Sequence, residues 1–433
     1  MKHSIRSPRM VVALCVMFVV ALLALPWAAE LVTTKPEEVG LSTERLARIN
    51  SMMQKRIAAG EISGGVTLVA RKGRVAHLEA HGVMDTESRK PMSRDAVFRI
   101  ASMTKPVAGV AIMMMLEEGK LRLTDPVSKY IPQFKDMKVA VAQPTEGRAS
   151  ATNGQTPVPG APPPTPRFYT VPAEREITIR DLLTHTSGLV SGPMSNSDAR
   201  KVARTPTETL AEYIPRLGST PLEFQPGTRW AYSAQAGFDT LGRIVEIVSG
   251  QNFDQFLRQR LFDPLGMKEV SFYATETLEP RMPTAYIVTP KGMQKNPNPN
   301  SMQSRVYFMG AGGLISTAEE YLKFGQMLLN GGEYNGKRIL SPRTVDLMAA
   351  VHIPDTLPGR LPGEGYGLSV RVINHAVAGA SRLSDGSFGW SGAYGTHFWV
   401  DPKEEIVAIM MIQTPVRDMR PEFENAVMQA IVK

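Results

Sequence analysis

The sequence predicts an α+β fold in which an antiparallel sheet, built from both termini, is flanked by helices. A mainly helical lobe is inserted in the middle of the chain. Short β-branched and aromatic runs occur near both ends, and helical periodicity fills the region between them. The 433 residues are 43% hydrophobic and 21% charged, which is ordinary for a globular protein. This length suits one large domain or two fused lobes.

The first 29 residues have the pattern of a secretory signal peptide. Three basic residues within the first nine positions precede an apolar run over residues 10–25, and Ala28-Ala29 follows. The run is shorter than the roughly 20 residues that span a bilayer. We therefore expect export to the periplasm or the exterior and a mature domain over residues 30–433. Because Pro26-Trp27 makes an imperfect cleavage site, an uncleaved N-terminal membrane anchor is the alternative.

The N-terminal part of the mature chain predicts a helix, a hairpin and a buried helix. Amphipathic periodicity covers residues 42–59. Two strands over residues 66–70 and 75–81 are joined by a turn at Lys72-Gly73. The next helix, over residues 107–118, is apolar on nearly all sides and is expected to lie in the core.

The helical lobe is expected over about residues 120–300. It contains a Pro-rich segment over about residues 143–172, predicted to be a surface insertion that is extended in part. Further helical patterns occupy residues 179–183, 206–216, 236–249 and 253–261.

The C-terminal third returns to strands. A capped helix is predicted over residues 317–330, and a last helix over residues 423–432 closes the chain. Short β-branched or aromatic runs predict strands over residues 366–372, 396–400 and 406–412.

Composition excludes several functional classes. The net charge is +8, but the chain has no Lys/Arg-rich block, so no nucleic acid partner is expected. Cys15 is the only cysteine and lies in the apolar leader, which leaves the mature chain without disulfides, a catalytic thiol or cysteine ligands. The chain has neither a His-Glu-x-x-His motif nor a tight His/Asp cluster, so neither a metal nor another cofactor is predicted.

A candidate nucleophile stands before the buried helix. Ser102 precedes Lys105 by three positions, and side chains at this spacing on a helix lie on one face. A hydroxyl beside a desolvated amine is a nucleophile beside a base, because burial lowers the pKa of lysine. A helix cap followed by a surface lysine would give the same pattern, so the pair alone leaves both interpretations open.

Two later segments supply candidate partners. Tyr232 follows a Pro-Gly turn and could be a second acid/base group or an interface aromatic. The glycine-rich segment over residues 388–396 leads into a strand, and glycines there would let a backbone N–H approach a ligand. An ordinary aromatic hairpin turn is the alternative for this segment. The chain lacks a Gly-x-Ser-x-Gly elbow, which disfavours an α/β-hydrolase.

Taken together and in this order, the three segments resemble the serine β-lactamase and penicillin-binding-protein superfamily. The resemblance is to its class C β-lactamase-related branch, which includes the family VIII carboxylesterases. Ser102 and Lys105 match the first motif. Tyr232 matches the tyrosine of the Tyr-x-Asn motif, and Trp390-Ser391-Gly392 stands where these esterases often have Trp-x-Gly. The run over residues 182–189 resembles a structural signature of the branch.

The resemblance covers roughly residues 35–430 apart from the Pro-rich insertion, with two departures. Ala234 replaces the asparagine that contacts the substrate amide and the lysine in β-lactamases. Trp390 replaces the lysine that pairs with the β-lactam carboxylate. Both changes argue against an efficient β-lactamase, and a bulky aromatic side chain better suits an apolar acyl or alcohol group.

The resemblance implies hydrolysis of small-molecule carboxylic esters through an acyl-enzyme on Ser102. Lys105, together with Tyr232, is expected to remove the serine proton and to help water release the acyl group. The backbone N–H groups of Ser102 and Ala393 would form the oxyanion hole. The expected substrate-binding residues are Trp390, Ser391, Gly392 and His397.

The histidines have different expected roles. His397 lies on the predicted strand just after the Trp-Ser-Gly segment, and the alternation of side chains along a strand would let it face the site. His185 matches the family signature at a non-catalytic position, so a structural role is expected. His77 and His81 share one face of a strand and are predicted to be exposed.

Three alternatives to ester hydrolysis remain open at the level of sequence. They are a β-lactamase or D-alanyl-D-alanine carboxypeptidase/endopeptidase acting on cell-wall material, an acyltransferase that uses a non-water acceptor, and a non-enzymatic binding protein on the same fold. The sequence predicts no oligomeric state, and membrane contact is expected only through residues 1–29 if they are uncleaved.

Overall fold

The computed structural model of the protein describes residues 32–144, 167–416 and 418–433. The predicted signal segment and most of the predicted Pro-rich insertion lie outside these residues. The helices are α1 Thr43–Ala58, α2 Thr104–Glu117, α3 Ile179–Leu183, α4 Pro193–Ala199, α5 Leu210–Tyr213, α6 Ala236–Ser249, α7 Phe253–Leu257, α8 Asp263–Leu265, α9 Ala318–Leu329, α10 Pro342–Ala349 and α11 Met419–Met428.

Fifteen strands are found in the described part of the chain. They are β1 Gly64–Arg71, β2 Arg74–Gly82, β3 Phe98–Arg99, β4 Lys138–Ala142, β5 Phe168–Pro172, β6 Tyr286–Thr289, β7 Gly292–Lys295, β8 Ile315–Ser316, β9 Glu333–Tyr334, β10 Lys337–Arg338, β11 Glu364–Tyr366, β12 Arg371–Ile373, β13 Phe388–Ser391, β14 His397–Asp401 and β15 Ile406–Ile412.

The main sheet joins the two ends of the chain, as predicted. Its strand order is β11-β12-β13-β14-β15-β1-β2, and every neighbouring pair is antiparallel. The central pairing places β1 beside β15, with Gly65 opposite Ile412 and Arg71 opposite Ile406. Helices fill the middle of the chain between β2 and β11, so the predicted α+β fold class is confirmed.

Helices cover both faces of the sheet, and β15 is apolar at every position. Val407, Ile409 and Met411 belong to the large core that includes α2 and α9. Ala408, Met410 and Ile412 alternate with them and pack in a second core with α1 and α11. A strand buried on both faces carries no polar alternation, which explains its continuous apolar run.

Helix α2 lies at the centre of the large core. All residues from Thr104 to Met115 are buried, which confirms the prediction made from its all-round apolar surface. Side-chain caps fix the starts of two other helices. The Ser42 hydroxyl accepts a hydrogen bond from the Arg45 N–H at α1, and Thr317 accepts one from Glu320 at α9.

Several predicted element bounds are wrong, and among them the last helix is Met419–Met428 instead of residues 423–432. Residues 366–372 form two strands, β11 and β12, because the chain turns back between them with Ser369 at φ 74°. The strand β5 pairs with β4, so its residues are not part of a loose insertion. Helix α5 gives way to a 3-10 turn over Ile214–Ser219, since Pro215 lacks the N–H that an α-helix would need there.

The two histidines of β2 share a face, as predicted, but the prediction that they are exposed is wrong. His77 and His81 are 9% and 4% exposed. Thr67 stands opposite Glu79 on the neighbouring strand, and its hydroxyl lies 2.8 Å from Nε2 of each histidine. This shared hydroxyl gives both buried rings a polar partner. Burial lowers the pKa of His77 to about 3 and that of His81 to about 4.

In residues 32–144, 167–416 and 418–433, no helix combines the length and the apolar character needed to cross a bilayer.

The buried histidines predict acid-sensitive folding. In the unfolded chain each titrates near pH 6.5, whereas in the fold each stays neutral down to about pH 3 or 4. The unfolded state therefore binds more protons below pH 6.5, and the free energy of unfolding should fall as the pH falls from 6.5 to 4.5. In His77→Gln, the slope of this decline should be smaller by about 1 kcal/mol per pH unit. Urea unfolding at several pH values measures both slopes, and equal slopes would contradict the assignment.

Candidate active site

Ser102 lies in a tight turn at the entrance to α2. The turn, Ala101–Met103, is a 3-10 segment that follows β3 directly. Ala101 is fully buried and has φ 43°, an unusual conformation for a residue other than glycine. Strained backbone of this kind costs about 1–3 kcal/mol and persists only where the surrounding structure imposes it. The turn brings the Ser102 side chain to the surface of a cleft while the following helix stays buried.

Lys105 is fully buried beneath Ser102. Its Nζ atom lies 3.3 Å from Ser102 Oγ and donates hydrogen bonds of 2.8 Å to the backbone carbonyls of Ala234 and Ala311. Burial lowers the pKa of Lys105, while Tyr232 and Asp239 act in the opposite direction. This environment favours a neutral amine, in agreement with the expectation that the lysine is desolvated.

Tyr232 reaches the same serine from the segment that precedes α6. Its hydroxyl lies 2.8 Å from Ser102 Oγ, and Lys105 Nζ lies 4.9 Å from the centre of its ring. The ring packs against His185 at 4.7 Å and Trp390 at 5.7 Å between centroids. These aromatic neighbours fix the ring, so the hydroxyl has little freedom to leave the serine.

His185 supports Tyr232 from behind, and no hydrogen bond joins it to Ser102 in the described part of the chain. It is 1% exposed, and its Nδ1 accepts a hydrogen bond from the Ser233 N–H at 3.2 Å. Burial, with a smaller effect from Lys105, holds the pKa of His185 well below 6.5, so the ring is neutral and can accept this bond. The placement agrees with the structural role predicted from the sequence.

The Trp-Ser-Gly segment runs along β13 beside the nucleophile turn. A Cβ on Gly392 would lie 2.2 Å from Thr396 Oγ1 and 2.3 Å from the Ile100 carbonyl oxygen. Only glycine therefore allows the strand end to approach the turn this closely. The next residue, Ala393, is exposed, and its backbone N–H donates to no acceptor in the part of the chain that the structure describes.

The three segments meet around one cavity of about 320 Å³. Among the predicted site residues, Ser102, Tyr232 and the Trp390–Ala393 segment line it, and Lys105 lies directly below. The complete lining is Ser102, Tyr232, Arg371, Trp390, Ser391, Gly392, Ala393 and Arg420.

His397 does not line this cavity, contrary to the expectation that it faces substrate. It is 1% exposed and lies behind the cleft wall, where its Nδ1 is 2.9 Å from Ser391 Oγ. The pairing of β13 with β14 sets His397 beside Ser391 on the same face, but one strand further from the segment that lines the cavity. His397 thus reaches the cleft through side chains that line it, and Ser391 is the one in direct contact with the ring.

Sequence reasoning missed a buried aspartate that orders the lysine site. Asp239 accepts hydrogen bonds from the Tyr307 hydroxyl at 2.8 Å and from the Ala311 N–H at 3.0 Å. The second bond fixes the peptide segment whose carbonyl holds Lys105. Burial raises the pKa of Asp239 to about 6. An acidic residue within the apolar helix α6 was the only sequence signal for this role.

Arg371 and Arg420 were also missed, because each comes from an element far from the three motifs. Arg371 is on β12 and Arg420 is on α11. Neither belongs to a local pattern, and only the folded sheet and its C-terminal helix bring them to the cavity. Within the described residues, no group of three His, Cys, Asp or Glu side chains is arranged to hold a metal ion.

The sequence matches the family model described as Beta-lactamase over residues 49–433. It is also 34% identical over 373 residues to Protein Rv1367c of Mycobacterium tuberculosis, an alignment that covers 82% of this chain and 86% of that protein.

Two further relatives cover nearly the whole chain. Esterase EstB of Burkholderia gladioli is 26% identical over 408 residues, with 89% of this chain and 94% of that protein aligned. The solved structure described as EstCE1, a hydrolase with promiscuous acyltransferase activity, has a TM-score of 0.73 and 27% identity. That alignment covers 90% of this chain and 99% of the other.

The lysine site predicts how Ser102 reacts with an electrophile. In Lys105→Met, the rate of Ser102 modification by a fluorophosphonate should fall about 10²–10³-fold, because the nearest base is lost. Tyr232→Phe should slow the reaction less, since Lys105 remains. Intact-mass spectrometry over time gives the rates, and thermal unfolding checks that both variants fold. An unchanged rate in folded Lys105→Met would rule out the lysine as the base.

The charge of Asp239 predicts a shift of the pH profile. Its carboxylate stabilises protonated Lys105, so Asp239→Asn should lower the pKa of the lysine further. The rise of Ser102 reactivity with pH should then occur at lower pH. Asp254→Asn is the matched control, because Asp254 also has a pKa raised by burial but is absent from the groups that act on Lys105. A shift to higher pH, or equal shifts in both variants, would contradict this role.

Proposed function

The chain belongs to the Beta-lactamase family, and we propose that it is a serine hydrolase that cleaves carboxylic esters through an acyl-enzyme on Ser102. The observation that carries this proposal is the hydrogen bonding of Lys105. A neutral amine has two N–H bonds and one lone pair. The carbonyls of Ala234 and Ala311 take the two N–H bonds, which leaves the lone pair for the proton of Ser102, 3.3 Å away.

Acylation follows from this arrangement. Ser102 Oγ bonds to the ester carbonyl carbon while its proton passes to Lys105 Nζ. The carbonyl oxygen becomes negative and is stabilised by the backbone N–H groups of Ser102 and Ala393. When the C–O bond to the alcohol breaks, Tyr232 gives its proton to the leaving oxygen and takes one from Lys105. The products are an alcohol, an acyl-serine and a neutral lysine.

Deacylation uses the same groups in reverse. Tyr232 passes its own proton to the neutral Lys105 while it takes a proton from the water molecule that attacks the acyl carbon. When the bond between the acyl carbon and Ser102 Oγ breaks, the proton returns to the serine. A carboxylic acid is released, and the enzyme regains its starting state.

The residues around the cleft favour esters over β-lactams. Ala234 still holds Lys105 through its backbone carbonyl, so loss of the asparagine side chain leaves the base intact. The contact that is lost is the one between the asparagine side-chain amide and the substrate. At position 390, where β-lactamases carry a cation, this chain has an indole ring. Its centroid lies 5.3 Å from that of the Tyr366 ring. Support also comes from two similar proteins, one named an esterase and one described as a hydrolase.

Acyl transfer is the second candidate function. The acyl-enzyme is the same, and an alcohol replaces water as the acceptor. One similar structure is described as having promiscuous acyltransferase activity. The exposed position of Ala393 and the open cavity beside Ser102 leave room for such an acceptor.

We propose further that the enzyme acts outside the cytoplasm. The basic start, the apolar run over residues 10–25 and the following alanines support export through a signal peptide. Expression of the full chain followed by cell fractionation and N-terminal sequencing tests this proposal. A mature chain that begins near residue 30 in the periplasm or medium is expected. A full-length chain retained in membranes after a salt wash would favour an uncleaved anchor instead.

Substrate comparison tests the proposed function. The chain lacking residues 1–29 should hydrolyse p-nitrophenyl butanoate with a kcat/KM at least about 100-fold above that for a chromogenic cephalosporin or a D-Ala-D-Ala peptide, because both polar contacts to a β-lactam are missing. Ser102→Ala should abolish ester turnover, and Trp390→Lys should raise the cephalosporin-to-ester ratio.

Two results would contradict the proposal. Ester turnover that survives Ser102→Ala would remove the nucleophile from the mechanism. Cephalosporin or peptide turnover above ester turnover in the unmodified chain would move the assignment to a cell-wall or β-lactam enzyme.

A further inference from the structure

A chain of polar contacts runs from the cleft into the core behind Ser391. Ser391 lines the cavity that holds Ser102. Its Oγ is 2.9 Å from Nδ1 of the buried His397, and Nε2 of this ring is 3.1 Å from Oε1 of Glu424. The catalytic steps proposed above use none of these three side chains.

The order of these groups determines which way the Ser391 proton points. Glu424 is an ionised carboxylate, because contacts with His397 and the nearby arginines outweigh burial and lower its pKa to about 2. Nε2 lies 3.1 Å from this carboxylate without the geometry of a hydrogen bond, and because a lone pair there would be repelled by the negative oxygen, the ring carries its hydrogen on Nε2. If the ring is neutral, Nδ1 then has a lone pair and accepts the hydrogen of Ser391.

The charges around His397 keep the ring neutral. Burial lowers its pKa, and the cations Arg371 and Arg420 act in the same direction, against the attraction of Glu424. Arg371 donates to Glu424 at 2.7 Å and to Glu364 at 2.9 Å. Glu424 therefore already has a cationic partner and does not need a protonated histidine. The result is a Ser391 oxygen that presents only lone pairs to the cleft.

A guanidinium group lines the same cavity. Arg420, at the start of α11, has a side chain that is 39% exposed. Its nearest acidic oxygen in the described part of the chain is Oε1 of Glu364, 3.6 Å away, too far for a hydrogen bond. Its N–H groups are thus available to an oxygen of a bound molecule. The cavity offers a fixed acceptor from Ser391 and charged donors from Arg420.

We propose that Ser391 and Arg420 form a subsite for a hydroxyl group of the substrate, so that the preferred esters are those of a polyol or a hydroxy acid. This inference rests on the proposed ester hydrolysis at Ser102. A hydroxyl group is both donor and acceptor. It gives its hydrogen to Ser391 Oγ and receives a hydrogen bond from Arg420. His397 and Glu424 are positioning residues that fix the polarity of Ser391.

Other polar groups match the subsite less well. A carboxylate would attract Arg420 but would place its oxygens against the lone pairs of Ser391. An ammonium group would donate to Ser391 but would face the positive charges of Arg420 and Arg371, which both line the cavity. An ether can accept from Arg420 but leaves the Ser391 oxygen without a donor. The site thereby discriminates by hydrogen-bond polarity and not by charge alone.

Matched esters test the subsite. On the alcohol side, 2-hydroxyethyl butanoate is compared with 2-methoxyethyl butanoate and (butanoyloxy)acetate. On the acyl side, methyl 3-hydroxybutanoate is compared with methyl 3-methoxybutanoate. The hydroxyl ester of at least one pair should have a kcat/KM about five- to tenfold higher than its methyl ether, the effect of one net hydrogen bond. The carboxylate ester should not exceed the hydroxyl ester.

Three variants separate recognition from general damage. Ser391→Ala should bring the hydroxyl-to-ether ratio close to 1. His397→Phe keeps an aromatic ring against Trp399 and removes Nδ1, so the Ser391 hydroxyl becomes free to donate. The hydroxyl-to-ether ratio should then fall, and kcat/KM for the ether and carboxylate esters should rise. Arg420→Gln should lower the ratio in part. Arg260 pairs with Glu118 on the surface, so the control variant Arg260→Gln should leave the hydroxyl-to-ether ratio unchanged.

These ratios do not depend on the fraction of folded enzyme, so an unstable variant cannot imitate the result. Turnover of all esters with hydroxyl-to-ether ratios near 1 in the unmodified enzyme would overturn the subsite alone. A ratio that is unaffected by His397→Phe would overturn the positioning role of the histidine. Failure to hydrolyse even propyl butanoate would instead contradict the proposed function, on which the subsite depends.

Discussion

The burial of one amine between two backbone carbonyls is the constraint on which this site depends. Lys105 is fully enclosed, and its Nζ contacts the carbonyls of Ala234 and Ala311. A buried ammonium ion without a close counter-ion would cost several kcal/mol, so the enclosure favours the neutral form. The same two carbonyls orient the lone pair toward Ser102. Asp239 fixes the peptide segment that carries the second carbonyl and thus couples helix α6 to the base.

Much of this arrangement could be predicted from local sequence, because its parts lie in short motifs. The spacing of Ser102 and Lys105, Tyr232 after its turn, and the Trp-Ser-Gly segment were sufficient for the family. The order of strands and helices along the chain was sufficient for the fold class. The rest depends on contacts between distant segments. The sequence around Ala311 has no pattern that predicts a hydrogen bond from Lys105 to its carbonyl, because the two residues are 206 positions apart. The burial of His77 was missed for the same reason, since its partner Thr67 lies on another strand.

The substitutions that distinguish this chain from a β-lactamase alter the cleft and spare the base. Position 234 contributes its carbonyl to Lys105, which any residue would provide, so alanine is tolerated there. Position 390 supplies an aromatic ring that packs near Tyr232. At the next position, the polarity of Ser391 is fixed from the core by His397. The catalytic pair is thus insulated from changes that set substrate preference.

The most direct test of this account is to capture the acyl-enzyme during turnover. The enzyme is mixed with p-nitrophenyl butanoate, quenched in acid within milliseconds and analysed by intact mass and peptide mapping. A single butanoyl group is expected on Ser102 in the unmodified enzyme, and it should be absent or form far more slowly in folded Lys105→Met. Rapid ester turnover with no acylated serine in the unmodified enzyme, or with the acyl group on another residue, would contradict it.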